Sequence, residues 1–139
     1  MKRGFDDKKW QEVKKQVHKR DRDHCRFIRT LSLKEVLLLQ KYAQELHQKN
    51  LLSVIDPAHV FPVSVFPHLC YEILNVIQIS RFVHEQLENH HNPLDGECLT
   101  ETEYNTLYIK ILGMNTFSTL AMWATNPENY KKEKEKKDE

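Results

Sequence analysis

The chain has 139 residues, of which 40% are hydrophobic and 29% charged, an ordinary composition for one soluble globular domain. No apolar run approaches the roughly 18 residues of a membrane span, and the N-terminal MKRGFDDKKW lacks the apolar stretch of a secretory signal. We therefore expect an intracellular, cytoplasmic protein with no membrane association. The sequence predicts one domain over residues 1–128, followed by a charged, disordered tail over 129–139.

The net charge of +1 conceals a strong asymmetry along the chain. Residues 1–30 contain eleven Lys and Arg against five Asp and Glu, whereas residues 31–130 contain five against eleven. A basic segment on an acidic body indicates contact with a polyanion, although a solvated helix face gives the same pattern. The candidate contacts to such a polyanion on this segment are Lys14, Lys15, Lys19 and Arg20.

The three cysteines, Cys25, Cys70 and Cys98, are odd in number and widely spaced, and no C-x-x-C pair occurs. A disulfide framework is therefore not expected, and the ligand pattern of a standard zinc knuckle is missing. The fold must then depend on its apolar core.

The first third of the chain predicts two helices. In KKWQEVKKQVHKRD, apolar residues at Trp10, Val13 and Val17 form a narrow stripe on an otherwise basic helix. The S-x-x-E capping box at Ser32 precedes strongly periodic apolar sequence, which predicts a core helix over 33–49.

The middle of the chain predicts a strand–strand–helix unit. Residues 53–61 and 73–80 are rich in β-branched residues and predict two short strands joined by a proline-containing loop. RFVHEQLENHH, directly after the second strand, predicts a helix that ends at NPLDGE. Residues 100–124 are expected to be helical, with a kink near Gly113.

Three polar side chains mark this ββα unit: His59 on the first strand, Asn75 on the second and His84 in the first turns of the helix. The segments AHVFP and NVIQISRFVH, which contain them, resemble two motif elements of the HNH endonuclease family. The upstream WQEVKKQVHKRDRDHCRF is similar to that family's lead-in, so the resemblance covers roughly residues 8–90. It implies an α+β fold, mainly helical around a small two-stranded ββα-metal core. It also implies a small DNA endonuclease of the phage type, in a bacterium or phage-infected host.

The resemblance assigns a role to each side chain. His59 would be the general base, which suits histidine because its ordinary pKa is about 6.5. Asn75 would fix the strand geometry and the orientation of the His59 ring. His84 would bind a divalent metal, Mg²⁺ or Mn²⁺, and Arg81 is a candidate contact to a phosphate of double-stranded DNA.

The sequence departs from the family's zinc pattern. At the four positions of the family's two C-x-x-C pairs, Cys25 is the one cysteine retained, and Ile28, Ser80 and Val83 occupy the others. A closed zinc site needs about four ligands, so we predict no structural zinc.

A second departure concerns the catalytic metal. Ala58 stands where the family often has a ligand immediately before the general base. Asp56 lies on the same face of the predicted strand, and Glu88 lies one helical turn after His84. Either carboxylate is a candidate for the missing ligand.

The residues leave three interpretations open. The first is an active metal-dependent endonuclease. The second is a catalytically silent ββα domain that binds DNA or a protein partner, with Ala58 as the trace of lost chemistry. The third is a helical adaptor in which the spacing of His59, Asn75 and His84 is coincidental and His59 is a core histidine. The presence of two short strands would argue against the third.

Overall fold

The computed structural model describes residues 6–137. Over this range the protein is α+β and mainly helical, with one antiparallel sheet of two strands, as the sequence predicted. The elements in chain order are α1 Asp7–Asp21, α2 Leu33–Glu45, β1 Ile55–His59, β2 Val76–Ser80, α3 Arg81–Glu88, α4 Glu101–Leu112, α5 Met114–Thr125 and α6 Pro127–Lys137. None of the helices described here is long and apolar enough to cross a membrane.

The helices begin where the sequence supplies caps. The Ser32 hydroxyl accepts from the Glu35 amide at 3.2 Å, and the Glu35 carboxylate accepts from the Ser32 amide at 2.9 Å, which is the predicted capping box. A second box begins α4 at Thr100. Ser80 caps α3 with its hydroxyl, so the chain turns from strand into helix four residues before His84.

β1 and β2 pair antiparallel, with Ile55 opposite Ser80 and His59 opposite Val76. All five residues of β2 are buried, and β1, α1 and α3 all pack against this strand. The predicted strand–strand–helix order is thus confirmed, and α3 follows β2 without an intervening loop.

The four positions that the sequence comparison assigned to zinc ligands lie in or against the main hydrophobic core. Cys25 and Val83 are both buried in this core, and Ile28 packs against it. Ser80 is also buried and serves as the cap of α3. Full burial of a Val, Leu, Ile or Phe side chain contributes about 1.5–3 kcal/mol, so apolar packing stabilises the junction between the N-terminal segment and α3.

Both strands are shorter than predicted, so Asn75 lies just outside the second strand. The prediction placed Asn75 on the second strand, but it ends a 3₁₀ turn, Ile73–Asn75, directly before β2. The Glu72 carboxylate starts this turn by accepting from the Leu74 amide at 2.9 Å. Asn75 still extends the sheet pairing, because its carbonyl accepts from the Val60 amide at 2.8 Å.

Two predicted helices have different bounds in the structure. The helix predicted over 33–49 ends at Glu45. The helix predicted over 100–124, with a kink near Gly113, is divided at that residue into α4 and α5. The φ of Gly113, +89°, lies in the region that favours glycine.

The segment predicted to be a disordered tail is helical as far as Lys137, the last described residue. α6 packs against the body through Lys134, whose ammonium lies 2.6 Å from the buried Glu72 carboxylate. The Tyr130 hydroxyl donates to the same carboxylate at 3.2 Å. Low-complexity composition suggested disorder, but these contacts hold the helix in place.

Candidate functional site

A cleft of about 560 Å³ opens between the end of β1 and helices α3 and α4. His59, His84 and Glu88, three of the predicted site residues, lie in its walls. His59 is the last residue of β1, and His84 is the fourth residue of α3. The ββα unit therefore brings together two imidazoles and a carboxylate that are distant in sequence.

The His59 ring is held by two contacts. Its Nε2 lies 2.9 Å from the carbonyl oxygen of Cys70. The ring also stacks on the Trp10 indole of α1, with centroids 5.0 Å apart and an interplanar angle of 22°. Because a carbonyl only accepts hydrogen bonds, the neutral ring carries its proton on Nε2 and keeps a lone pair on Nδ1. Nδ1 is thus the atom that can take a proton.

Burial lowers the pKa of His59 below its ordinary value of 6.5, because the charged imidazolium loses hydration. The hydrogen bond to Cys70 opposes this change, and the charge of a protonated His84 adds to it. His59 is therefore neutral at pH 7, the state in which it can act as a base.

Asn75 is completely buried and ties the loop after β1 to the start of β2. Its Oδ1 accepts from the Phe61 amide at 2.8 Å, and its Nδ2 donates to the carbonyls of Phe61 at 3.1 Å and Leu69 at 3.2 Å. These bonds do not reach the His59 ring. They fix the chain on either side of it, since Leu69 directly precedes Cys70. Asn75 is therefore a positioning residue.

His84 and Glu88 form a pair within α3, with His84 Nε2 lying 3.0 Å from Glu88 Oε1. Their spacing of one helical turn places both on the same face of the helix. The His84 side chain is 28% exposed and that of Glu88 66%, so the pair lies at the open side of the cleft. Glu88 is thus the carboxylate that the structure places beside His84.

This pair fits an open divalent-metal site. Within residues 6–137, no group of three or more His, Cys, Asp or Glu side chains is arranged to hold a metal ion. Mg²⁺ is often bound by one or two protein groups and several waters, at bond lengths of about 2.0–2.1 Å. Two adjacent ligands on an octahedral ion then lie about 3.0 Å apart, close to the separation of His84 Nε2 from Glu88 Oε1. A closed zinc site would need more ligands than these two.

Asp56, the other candidate ligand, is engaged elsewhere. Its carboxylate accepts two hydrogen bonds from Arg81, from Nε and from Nη2, each at 3.0 Å. The pairing of Ile55 with Ser80 places these two side chains together at the end of the sheet. Asp56 is therefore corrected from a possible metal ligand to the partner of Arg81. This ion pair also uses two of the Arg81 N–H donors that were predicted to contact a phosphate.

The basic face of α1 adjoins the cleft. A shallow groove of about 530 Å³ is lined by Lys14 and Lys15 of α1 and by Pro57 of β1, which also lines the cleft. Lys19 borders a neighbouring groove on the same helix together with Lys15. The Lys14 ammonium lies 5.9 Å from the centre of the Trp10 ring, on which His59 stacks. Cationic side chains thus lead along α1 towards His59.

Arg20, the fourth predicted DNA contact, belongs to a structural ion network. It donates from Nε and Nη2 to the Asp21 carboxylate at 2.7 and 2.8 Å, and also to the carbonyls of Ile73 and Val76. Asp21 is only 2% exposed and also accepts from Arg26. Arg20 therefore uses four of its five N–H donors for hydrogen bonds within the protein. Arg20 is corrected from a DNA contact to a support for the start of β2.

Sequence reasoning missed two groups that hold His59. The Cys70 carbonyl leaves no side-chain pattern to detect, because any residue supplies a backbone oxygen. Trp10 was predicted only as part of a narrow apolar stripe on the first helix, whereas in the structure it is half-buried and stacks on the His59 ring. Comparison with protein-family models, curated proteins and solved structures gives no significant match to this chain.

Proposed function

We propose that this protein is a metal-dependent endonuclease of the HNH type that hydrolyses phosphodiester bonds in DNA. The observation that supports this most directly is the presence, in one cleft, of His59 with its Nδ1 lone pair and of the His84–Glu88 pair. A base and a divalent-metal site are the two components that hydrolysis of a phosphodiester needs near neutral pH.

In this mechanism His59 is the general base. Its Nδ1 accepts a proton from the attacking water as the water oxygen forms a bond to phosphorus and the bond to the leaving oxygen breaks. The Cys70 carbonyl stabilises the imidazolium that results, because Nε2–H continues to donate to it. A well-placed base of this kind contributes about 10²–10⁴-fold to the rate.

His84 and Glu88 would hold Mg²⁺ or Mn²⁺, with water completing the ligand set. A divalent cation at this site supplies positive charge to the phosphoryl oxygens and to the leaving oxygen. His84 would bind the ion through an imidazole nitrogen, and Glu88 would supply the negative charge that attracts it. No structural zinc is part of the proposal, since Ile28 and Val83 have no ligand atoms.

A second function is favoured by Ala58. This residue is 4% exposed and lies in both the hydrophobic core and the wall of the cleft. Its methyl side chain has no atom that could bind a metal. A catalytically silent ββα domain that binds DNA or a protein partner is therefore the alternative.

Nicking of supercoiled plasmid with Mg²⁺ or Mn²⁺, and its loss in chelator, tests the proposal. Glu88→Gln is expected to raise the metal concentration needed for half-maximal nicking by about tenfold or more, because it removes the carboxylate charge at the ion. Glu85→Gln on the same helix is the matched control and should behave as wild type. Nicking that persists in chelator would indicate a chemistry that needs no metal. Absence of nicking with both metals would favour the catalytically silent domain.

DNA binding is expected to depend on the lysines of α1. Replacing Lys14, Lys15 and Lys19 with Gln should weaken binding to all sequences alike. It should also flatten the plot of log affinity against log salt by up to about 0.9 for each phosphate that a lysine no longer neutralises. The measurement is fluorescence anisotropy across a salt series in chelator. Replacing Lys34, Lys41 and Lys49 removes the same charge from exposed positions elsewhere and should change the slope much less. Equal slopes for the two triple variants would place the DNA surface away from α1.

A further inference from the structure

A second pocket, of about 310 Å³, lies beside the cleft. We propose that it takes a single nucleobase turned out of the DNA stack, next to the phosphate that is cut. This inference rests on the proposed function and names its substrate class. The substrate is DNA with an unpaired nucleotide, in preference to an intact duplex.

The position of the pocket suits a neighbouring nucleotide. Val60, Pro62, His90, Tyr104 and Tyr108 line both the pocket and the cleft, so the two cavities share a wall. Val60 directly follows His59 in the chain. A base in the pocket and a phosphate at His59 would therefore belong to adjacent positions of one strand.

The pocket offers flat aromatic surfaces. The rings of His90 and Tyr104 stack on each other with centroids 4.2 Å apart and an angle of 17°. Phe61 and Phe117 supply a second aromatic surface, with centroids 5.7 Å apart. Aromatic side chains hold bases of any sequence by stacking, because every base has a π face. The volume lies at the small end of the range for small-molecule sites, as a single base requires.

The polar groups of the pocket favour a neutral base over a phosphate. Asn105 is half-buried, and its side-chain amide makes no hydrogen bond with any part of residues 6–137. An amide carries both donors and acceptors, which match the edge of a base. Glu101 lines the same pocket, and its carboxylate would repel a phosphate. Phosphates are better placed along the lysines of α1.

The pocket is also joined to the machinery around His59. Asn75 bonds both the amide and the carbonyl of Phe61, at 2.8 and 3.1 Å. The same amide group bonds Leu69, which precedes the Cys70 carbonyl that holds His59. One buried side chain therefore sets the distance between the base pocket and the proposed general base.

The test is binding, measured by anisotropy in chelator, to three labelled duplexes of one sequence. The first is fully paired, the second has one central unpaired nucleotide, and the third has an abasic residue at that bulge. We expect the second to bind about fivefold to a hundredfold more tightly than the other two, since stacking of one base is worth that much. Tyr104→Leu and Asn105→Ala should each reduce this preference. Asn129→Ala, at a half-buried helical asparagine outside the pocket, should retain it.

The outcomes separate this inference from the proposed function. Equal affinity for the base-containing and abasic bulges would overturn the base pocket, and nicking that depends on His59 would still support the endonuclease. A base preference that Tyr104→Leu abolishes, in a protein that never nicks DNA, would support the pocket and overturn the endonuclease. Failure to bind any of the three duplexes would overturn the base pocket, and nicking with Mg²⁺ or Mn²⁺ would still decide the endonuclease separately.

Discussion

His59→Ala is expected to slow nicking of supercoiled plasmid by about 10²–10⁴-fold, the usual contribution of a general base. The physical reason is that, in the proposed mechanism, Nδ1 of His59 would accept the proton, since Nε2 is hydrogen-bonded to the Cys70 carbonyl. Metal affinity should change little, because His84 and Glu88 are retained. Initial nicking rates at saturating Mg²⁺, compared with metal affinity measured calorimetrically, give the two readouts.

Two further variants control for the loss of the ring. His59→Gln retains an N–H donor for Cys70 but does not accept a proton near neutral pH, so it should be as slow as the alanine variant. His24→Ala, at an exposed position, should nick at the wild-type rate. If His59→Gln nicks within a few-fold of wild type, the assignment of the base is wrong.

The pH dependence provides an independent readout of the same residue. Burial lowers the pKa of His59, so the base is neutral, and therefore active, above a midpoint that lies below 6.5. The nicking rate should rise with pH through that midpoint and level off before neutrality. A midpoint clearly above 6.5 would indicate that another group limits the reaction.

Asn75→Ala is expected to lower the free energy of unfolding by about 3 kcal/mol, which a shift of the urea midpoint would measure. The substitution leaves the Phe61 amide and carbonyl without their Asn75 partner, and each unsatisfied buried group costs about 1–3 kcal/mol before the site relaxes. The Leu69 carbonyl loses one bond and keeps the one it accepts from the Glu72 amide at 3.2 Å. Nicking should also fall, because the Cys70 carbonyl would no longer be held in place.

Asn89→Ala is the matched control for this experiment. The Asn89 side chain is exposed and donates one hydrogen bond, to the Glu85 carbonyl at 2.9 Å. Its loss should change stability by about 0.5 kcal/mol or less. If Asn75→Ala and Asn89→Ala lower the free energy of unfolding by similar amounts, the hydrogen bonds of Asn75 do not stabilise the fold more than that of an exposed asparagine.

Local patterns predicted the parts of this fold that depend on near neighbours. The S-x-x-E box at Ser32 and the apolar period after it identify α2 because caps and helix faces are set within a few residues. The β-branched runs identify both strands, and their order before RFVHEQLE brings His59 and His84 to one cleft. Asn75 instead lies in a turn, in which the Glu72 carboxylate accepts a hydrogen bond from the Leu74 amide. Strand propensity alone does not reveal this hydrogen bond.

Charged residues were harder to assign because their partners are set by tertiary contacts. Asp56 was a reasonable metal ligand until the strand register placed it beside Arg81. Arg20 was counted with the exposed cations of α1, since the sequence does not show that Asp21 is buried. In each case a carboxylate of this chain takes two hydrogen bonds from the arginine, and Arg20 also donates to two backbone carbonyls.

The contact between α6 and Glu72 has a consequence for the order in which the molecule is completed. The Glu72 carboxylate caps the turn that contains Asn75, and the ammonium paired with it belongs to Lys134, 62 residues later. During synthesis from the N-terminus, the ββα unit emerges well before that cation does. The buried carboxylate of a nascent chain therefore lacks this counter-ion until Lys134 has also been synthesised and α6 has packed against the body. The turn that contains Asn75 thus gains its ion pair only after the ββα unit has been synthesised, so the surroundings of His59 are completed by a distant part of the chain.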